Sequence, residues 1–281
     1  MADRYERIRI FEQTMEICRN APDLQASIRE SIEKQKIIWE EDPVAVTAER
    51  RDIPAELVIT PERTLGAAQK YQGLGKRICA LNFASSVTPG GGVARGAGAQ
   101  EESLCRISTL YAAISDRETA GPFYDRHWQM IRSGEMNRKN RDDCIFTPGV
   151  AVIREDTFDC DLLPADERYS VDVITCAAPD LRYDNNGSVY QPGEAELTAV
   201  FEKRWRRILT VAANYQADIL ILGAFGCGAF YNPPEVVVRA FSNIFDEFAH
   251  FYETVEFAVF AQNKYDQNYQ VFSGMKGIRK Q

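Results

Sequence analysis

The chain is poor in the residues that most often carry metal and nucleophile chemistry. Only two histidines occur, His127 and His250, in unrelated contexts, which argues against a zinc centre or a histidine-based triad. Both are expected to be surface or packing residues. No two of the seven cysteines (18, 79, 105, 144, 160, 176, 227) fall at CxxC spacing. Several lie in apolar runs such as RICALNF and VITCAAP, where a reduced thiol packs as a small hydrophobe. No metal and no cofactor is expected. Positive charge is short as well: 33 Lys and Arg against 41 Asp and Glu give a net charge of −8. General electrostatics would therefore not hold a nucleic acid, and no direct nucleic-acid partner is expected. Any anionic ligand would have to be held by local backbone N–H groups. No apolar run approaches the ~20 residues of a membrane span, and no signal-peptide pattern opens the chain. A cytoplasmic protein without a membrane partner is expected, acting as a monomer.

Glycine is missing before Gly66, and this stretch has a helical character. Tyr5, Ile8, Phe11, Met15 and Cys18 recur at three- and four-residue steps, and PDLQASIRESIEKQKIIWEE predicts a second helix. Residues 1–54 are thus expected to form an N-terminal helical extension packed on a domain spanning 55–281. Beyond it, apolar strands alternate with amphipathic helices. Strands are expected in 55–60, 77–85, 144–155, 170–179, 217–226 and 254–261. Helices are expected from a Thr60 N-cap with Pro61 at the first position, over 101–115, over 194–215 and over 233–249. Buried strands separated by helices predict an α/β domain with three layers, helices covering both faces of one sheet.

Ligands of such sheets gather beyond the carboxyl ends of the strands, and two glycine-rich stretches lie there. One is TPGGGVARGAGAQEESL, Thr88 to Leu104; the other is GAFGCGAFYN, 223–232. Gly90, Gly91 and Gly92 permit φ > 0 and close backbone approach. Gly226, Cys227, Gly228 and Ala229 offer successive N–H groups that can form an anion nest. Neither stretch fits GxGxxG or the phosphate loop GxxxxGK[ST]. Two such loops on one sheet edge suit a diphosphate. Gln100, Glu101 and Glu102 open the helix after the first loop. Acids in a first turn offset the helix dipole and need mean nothing more. Adjacent helical residues point about 100° apart, however, so this pair can take two different roles beside the cradle. Like charge would raise one pKa and the helix N-terminus would lower it.

GGG, a short spacer and QEE resembles the signature of the poly(ADP-ribose) glycohydrolases, and LNFASSVTPGGGVARGAGAQEESLCRISTLY is similar to their bacterial (microbial) type. TPERTLGAAQKY, CIFTPGVAVIRE, DVITCAAPD and LILGAFGCGAFYNPPEVV resemble family segments in family order, from about residue 55 onward. The resemblance implies a macrodomain with a mixed sheet, a ligand of ADP-ribose or poly(ADP-ribose) on modified proteins, and metal-free hydrolysis of ribose–ribose bonds. It implies Glu102 as general acid/base and Glu101 as the residue orienting a ribose hydroxyl. Gly90, Gly91, Gly92, Val93 and Gln100 would surround the diphosphate and distal ribose. Gly226, Cys227, Gly228 and Ala229 would bind the diphosphate, and Phe230 the terminal ribose. Asn82 and Thr88 line the same strand end. Residues 180–194 do not align with the family pattern and read as a solvated insertion. Removal of single ADP-ribose units, or ADP-ribose binding without turnover, remain alternatives that defined polymers and mono-modified substrates would separate.

Overall fold

The computed structural model describes residues 3–43, 45–183, 190–275 and 278–280. Eight strands form one sheet: β1 (Lys36–Ile38), β2 (Glu56–Thr60), β3 (Ile78–Phe83), β4 (Cys144–Val152), β5 (Tyr169–Cys176), β6 (Ile219–Leu222), β7 (Thr254–Ala258) and β8 (Ile278–Lys280). Their order is β1-β4-β5-β3-β6-β7-β2-β8. The β1/β4 and β4/β5 pairs are antiparallel and the others parallel. The helices are α1 (Arg4–Asn20), α2 (Pro22–Lys34), α3 (Thr64–Gln69), α4 (Gln100–Ile107), α5 (Leu110–Ile114), α6 (Gly121–Ser133), α7 (Glu194–Asn214), α8 (Pro234–Ile244) and α9 (Gln267–Phe272).

Alternation along β3 explains the layering. Cys79 and Leu81 join one core with Phe201 and Trp205 of α7 and Phe241 of α8. Ile78 and Ala80 join the opposite core with Phe11 of α1 and Leu104 of α4. A period of two sends successive side chains to opposite faces, and each face is sealed by helices. This is the mixed-sheet, three-layer arrangement expected, and its strand ends deliver both glycine loops to one edge.

Several boundaries differ from the sequence expectation. The second helix stops at Lys34, and residues 36–38 form an edge strand paired with Cys144–Phe146. Gln35 makes the break: its side chain accepts from Thr147 Oγ1 and donates to the Ala113 carbonyl, and the β-branched pair Ile37–Ile38 then extends. The N-terminal segment is therefore part of the sheet as well as a helical layer. Thr60 is the last residue of β2, and α3 begins only at Thr64, because the Thr60 carbonyl is taken by Val259 N–H. The helix expected over 101–115 is broken at Ser108–Thr109, where Thr109 N–H bonds the Ala151 carbonyl of β4. The last long helix ends at Ile244 and continues as single 3₁₀ turns. Tyr5, expected on the buried stripe of α1, is 81% exposed, and Ile10 and Thr14 are buried with Phe11 and Cys18 instead.

Candidate active site

The two glutamates are positioned by the residue before them. Gln100 accepts from Phe83 N–H at 2.9 Å and donates to the Leu81 carbonyl at 2.8 Å and to Thr64 Oγ1 at 3.1 Å. These bonds pin the first residue of α4 to the end of β3, so the next two residues face the loop between them. Glu101 Oε2 accepts from Ser85 N–H at 2.8 Å, and Glu102 Oε1 accepts from Gly92 N–H at 2.9 Å. Both side chains are buried, 3% and 8% exposed.

The remaining oxygen of each carboxyl, Glu101 Oε1 and Glu102 Oε2, is buried without a hydrogen-bond partner, and so is Asn82 Oδ1. The Asn82 amide nitrogen donates to Thr175 Oγ1 at 3.2 Å, leaving its oxygen for something else. Buried acceptors normally find donors, and each left without one costs about 1–3 kcal/mol. Three of them at one strand end form a site for hydroxyl donors. Burial, reinforced by the Glu102 charge, pushes Glu101 up to about 8, against the Ser85 N–H, Asn82 and the Gly90 N–H, which stabilise its anion. Desolvation thus outweighs the helix N-terminus at Glu101.

Gly91 roofs the pair. Its φ is +57°, and a Cβ there would lie 2.5 Å from Glu102 Oε1 and 2.9 Å from Glu101 Oε2. Only glycine lets the backbone pass this close to both carboxyls. The N–H groups of this loop are largely spent internally. Gly91 N–H bonds the Thr88 carbonyl, Val93 N–H the Gly90 carbonyl, and Ala97 N–H the Gly92 carbonyl. Val93 itself is a core residue, 1% exposed, and Thr88 N–H bonds Ser85 Oγ.

The second loop follows β6. Gly226 has φ +77°, and a Cβ there would meet Asn232 Nδ2 at 2.6 Å and Ala178 Cβ at 2.7 Å. Buried Asn232 clamps this turn by donating to the carbonyls of Pro179 (2.7 Å) and Gly226 (3.0 Å). Cys227 N–H bonds the Ala224 carbonyl. Among the described residues, no protein acceptor takes the N–H groups of Gly228, Ala229 or Phe230. Arg182 lies over the Phe230 ring at 4.9 Å and pairs with Asp180 at 2.7 Å. A cavity of about 300 Å³ adjoins the start of α4 between the strand ends, with Phe83, Gln100, Ala224, Val259 and Phe260 among its walls. Its volume is at the lower end of small-molecule sites.

The sequence model described as microbial-type PARG, catalytic domain, matches residues 6–155. The chain belongs to the microbial-type PARG family. Its fold is similar to that of poly(ADP-ribose) glycohydrolase (PARG) from Thermomonospora curvata, with TM-score 0.82 and 29% identity over 96% of this chain and 98% of that one. The same enzyme bound to the inhibitor ADP-HPD superposes with TM-score 0.78 and 28% identity over 96% and 98%. PARG from Deinococcus radiodurans in complex with ADP-ribose gives TM-score 0.74 and 29% identity over 87% and 94%. No curated protein matches the chain. The α/β fold and the assignment to a glycosidase family that binds ADP-ribose, both expected from the resemblance, hold.

The structure groups Glu101, Glu102, Asn82 and Gly91 at the end of β3, and Gly228, Ala229 and Phe230 lie on the loop after β6, the strand paired with β3. Val93 and Gln100 stand behind these groups, bonded to the protein. Six cysteines are buried and Cys227 is partly so, all as free thiols. Among the described residues no helix is long and apolar enough to cross a membrane, and no group of residues has the makings of a metal site. The loop at 180–194 lies partly outside the described residues.

Sequence reasoning passed over α6 and Asn232. From α6, Tyr124 buries a hydroxyl with no partner, and the Glu101 charge helps hold its phenol well above the usual range, after burial. His127 is buried, its ring nitrogens 2.9 Å from the Ser86 carbonyl and 2.7 Å from Asp143. It supports the Ser85–Ser86 turn that serves Glu101. The signal was present: Pro122 in the first turn, with Phe123 and His127 four apart.

Proposed function

We propose that the chain hydrolyses the ribose–ribose bond of poly(ADP-ribose) with Glu102 as general acid and base. The single observation behind this reading is the pair of partnerless carboxyl oxygens roofed by Gly91. The diphosphate lies on the free N–H groups of Gly228, Ala229 and Phe230, which suits a chain of net charge −8. The adenine occupies the 300 Å³ cavity against Phe83 and Phe260, and the distal ribose packs under Gly91 with its anomeric carbon toward Glu102 Oε2.

Glu102 Oε1 is held by Gly92 N–H, so Oε2 is the oxygen that meets substrate. In its protonated form it gives the proton to the departing ribose oxygen as the glycosidic C–O bond breaks, the bonding electrons leaving with that oxygen. The carboxylate then takes a proton from the water that attacks the anomeric carbon, which restores the acid. The substrate's own diphosphate offsets the positive charge that develops on the sugar. Glu101, its carboxyl pushed up to about 8 by burial, hydrogen-bonds a ribose hydroxyl and fixes the ring. One carboxyl in both roles differs from the two-carboxylate glycosidase scheme, which assigns acid and nucleophile or base to separate residues.

The reading is tested by melting the protein with ADP-ribose and by assaying release of ADP-ribose from defined polymers. At a hundredfold excess over Kd the fold should gain ~2.7 kcal/mol. A melting curve unmoved by millimolar ADP-ribose, or a polymer left intact, would reject it.

A further inference from the structure

Beside the adenine cavity lies a smaller one, of about 70 Å³, with Arg7, Arg63, Arg106, Ser103, Asp156 and Gly98 in its walls. The two cavities share Arg63, Gly98, Ser103 and Asp156, so they adjoin. The smaller one gathers three guanidinium groups, with Asp156 as the one carboxylate named in its walls. Arg106, one turn beyond Glu102, is 3% exposed. Its guanidinium donates to the Ala97 carbonyl at 3.1 Å and to Ser103 Oγ at 3.4 Å. Among the described residues it forms no ion pair with a carboxylate. Arg63 forms none either; its guanidinium lies 4.5 Å from the Phe158 ring and 4.4 Å from the Phe260 ring. Arg7 donates to the Gly96 carbonyl at 2.7 Å.

The acid on the wall is already engaged. Asp156 accepts from Leu65 N–H at 2.9 Å and Gly66 N–H at 3.3 Å, and burial pushes its pKa up, which weakens it as a counter-charge. Cys160, also at this cavity, has its thiol pushed up by burial and supplies no anion. A buried guanidinium without a counter-ion is expensive. Two or three arginines and a hydroxyl around a space for a few waters make a recess suited to a tetrahedral oxoanion, which arginine forks bind bidentately.

We propose that this cavity is an oxoanion site that takes a phosphate group. Its place next to the adenosine recess, which rests on the functional reading above, gives the phosphate two sources: free inorganic phosphate, or a phosphate borne on the adenosine ribose of the ligand.

The test is calorimetry on the full chain with the diphosphate cradle filled by saturating ADP-ribose. Inorganic phosphate is then titrated into the native protein and into Arg106→Gln and Arg63→Gln. Phosphate should bind the native protein and bind each variant at least tenfold more weakly. If Arg106→Gln fails to fold, Arg63→Gln, whose guanidinium is not in the core, carries the comparison. A second arm measures ADP-ribose 2′-phosphate against ADP-ribose. A tenfold gain that Arg63→Gln abolishes supports the site with a ligand-borne phosphate. No gain, with inorganic phosphate and ADP-ribose bound together, supports it with free phosphate. Absence of phosphate binding in both arms, or equal binding by native protein and variants, overturns the proposal. Should ADP-ribose itself not bind, the functional reading fails separately. Phosphate binding to the ligand-free protein that is lost in Arg63→Gln and kept in Gly91→Val would still support the cavity.

Discussion

The two glycine-rich loops look alike in sequence and are wired in opposite ways. In the first, Gly91, Gly92 and Val93 all commit their N–H groups inside the protein, and the bond from Gly92 goes to Glu102 itself. In the second, Asn232 clamps the turn at Gly226 while Gly228, Ala229 and Phe230 keep their N–H groups unspent among the described residues. Glycine serves the first loop by letting backbone press onto carboxyls. It serves the second by making a tight turn that leaves donors facing outward. A glycine run therefore marks close approach of the backbone; what it approaches is decided by the residues around it.

The sharpest way to break this comparison is Gly91→Val. A branched side chain at φ +57° would drive into both glutamates, and we expect neither ADP-ribose binding by calorimetry nor turnover. A variant that binds normally would remove the first loop from the site. Glu102→Gln should lose turnover by ~10²–10⁴ while ADP-ribose affinity stays within a few-fold; a variant as fast as the native enzyme would sink the assignment of the acid.

Within the second loop, Gly226→Ala and Gly228→Ala should part company. The first forces a side chain onto a positive φ and into Asn232 and Ala178, costing ~1–3 kcal/mol of stability by denaturant unfolding. The second meets nothing within 4 Å in the protein, so stability should change by less than about 0.5 kcal/mol, with weaker ADP-ribose binding as the main effect. Equal stability losses would erase the distinction drawn between clamp and cradle.

A pH slope is expected as well. Glu101 carries a folded-state pKa raised from 4.5 to about 8. The folded protein therefore holds a proton that the unfolded chain has released between those values, and stability falls as pH rises through that window. Below it, Glu101's contribution is fully present. Melting temperatures of Glu101→Gln followed across pH 5 to 8 should show a shallower decline than the native protein; parallel curves would mean that Glu101 is not the buried acid described.

Much of this was legible in the sequence because it rests on local rules. Near-continuous apolar runs gave the strands, and glycine density placed both loops at the strand ends. The GGG and QEE stretches carried the family resemblance. Where local rules compete with pairing, they misled. Ile37 and Ile38 fall in the run read as a helix but are taken by the edge of β4. Thr60 is a good N-cap residue held instead by Val259. The run over 101–115 is helical except where β4 draws Thr109 out.

By itself, then, the sequence determined the fold class, the family and the meeting of two glycine-rich loops at one sheet edge, since these follow from apolar runs, chain flexibility and residue type along a contiguous stretch. Only the tertiary structure decided which carboxyl oxygens are left without partners, which loop keeps free donors, and that burial outweighs the helix N-terminus at Glu101. Those outcomes depend on desolvation and on hydrogen-bond partners far along the chain, such as Asn232 for Pro179, or Thr175 for Asn82. Such partners are set by the packed geometry, which no local pattern encodes.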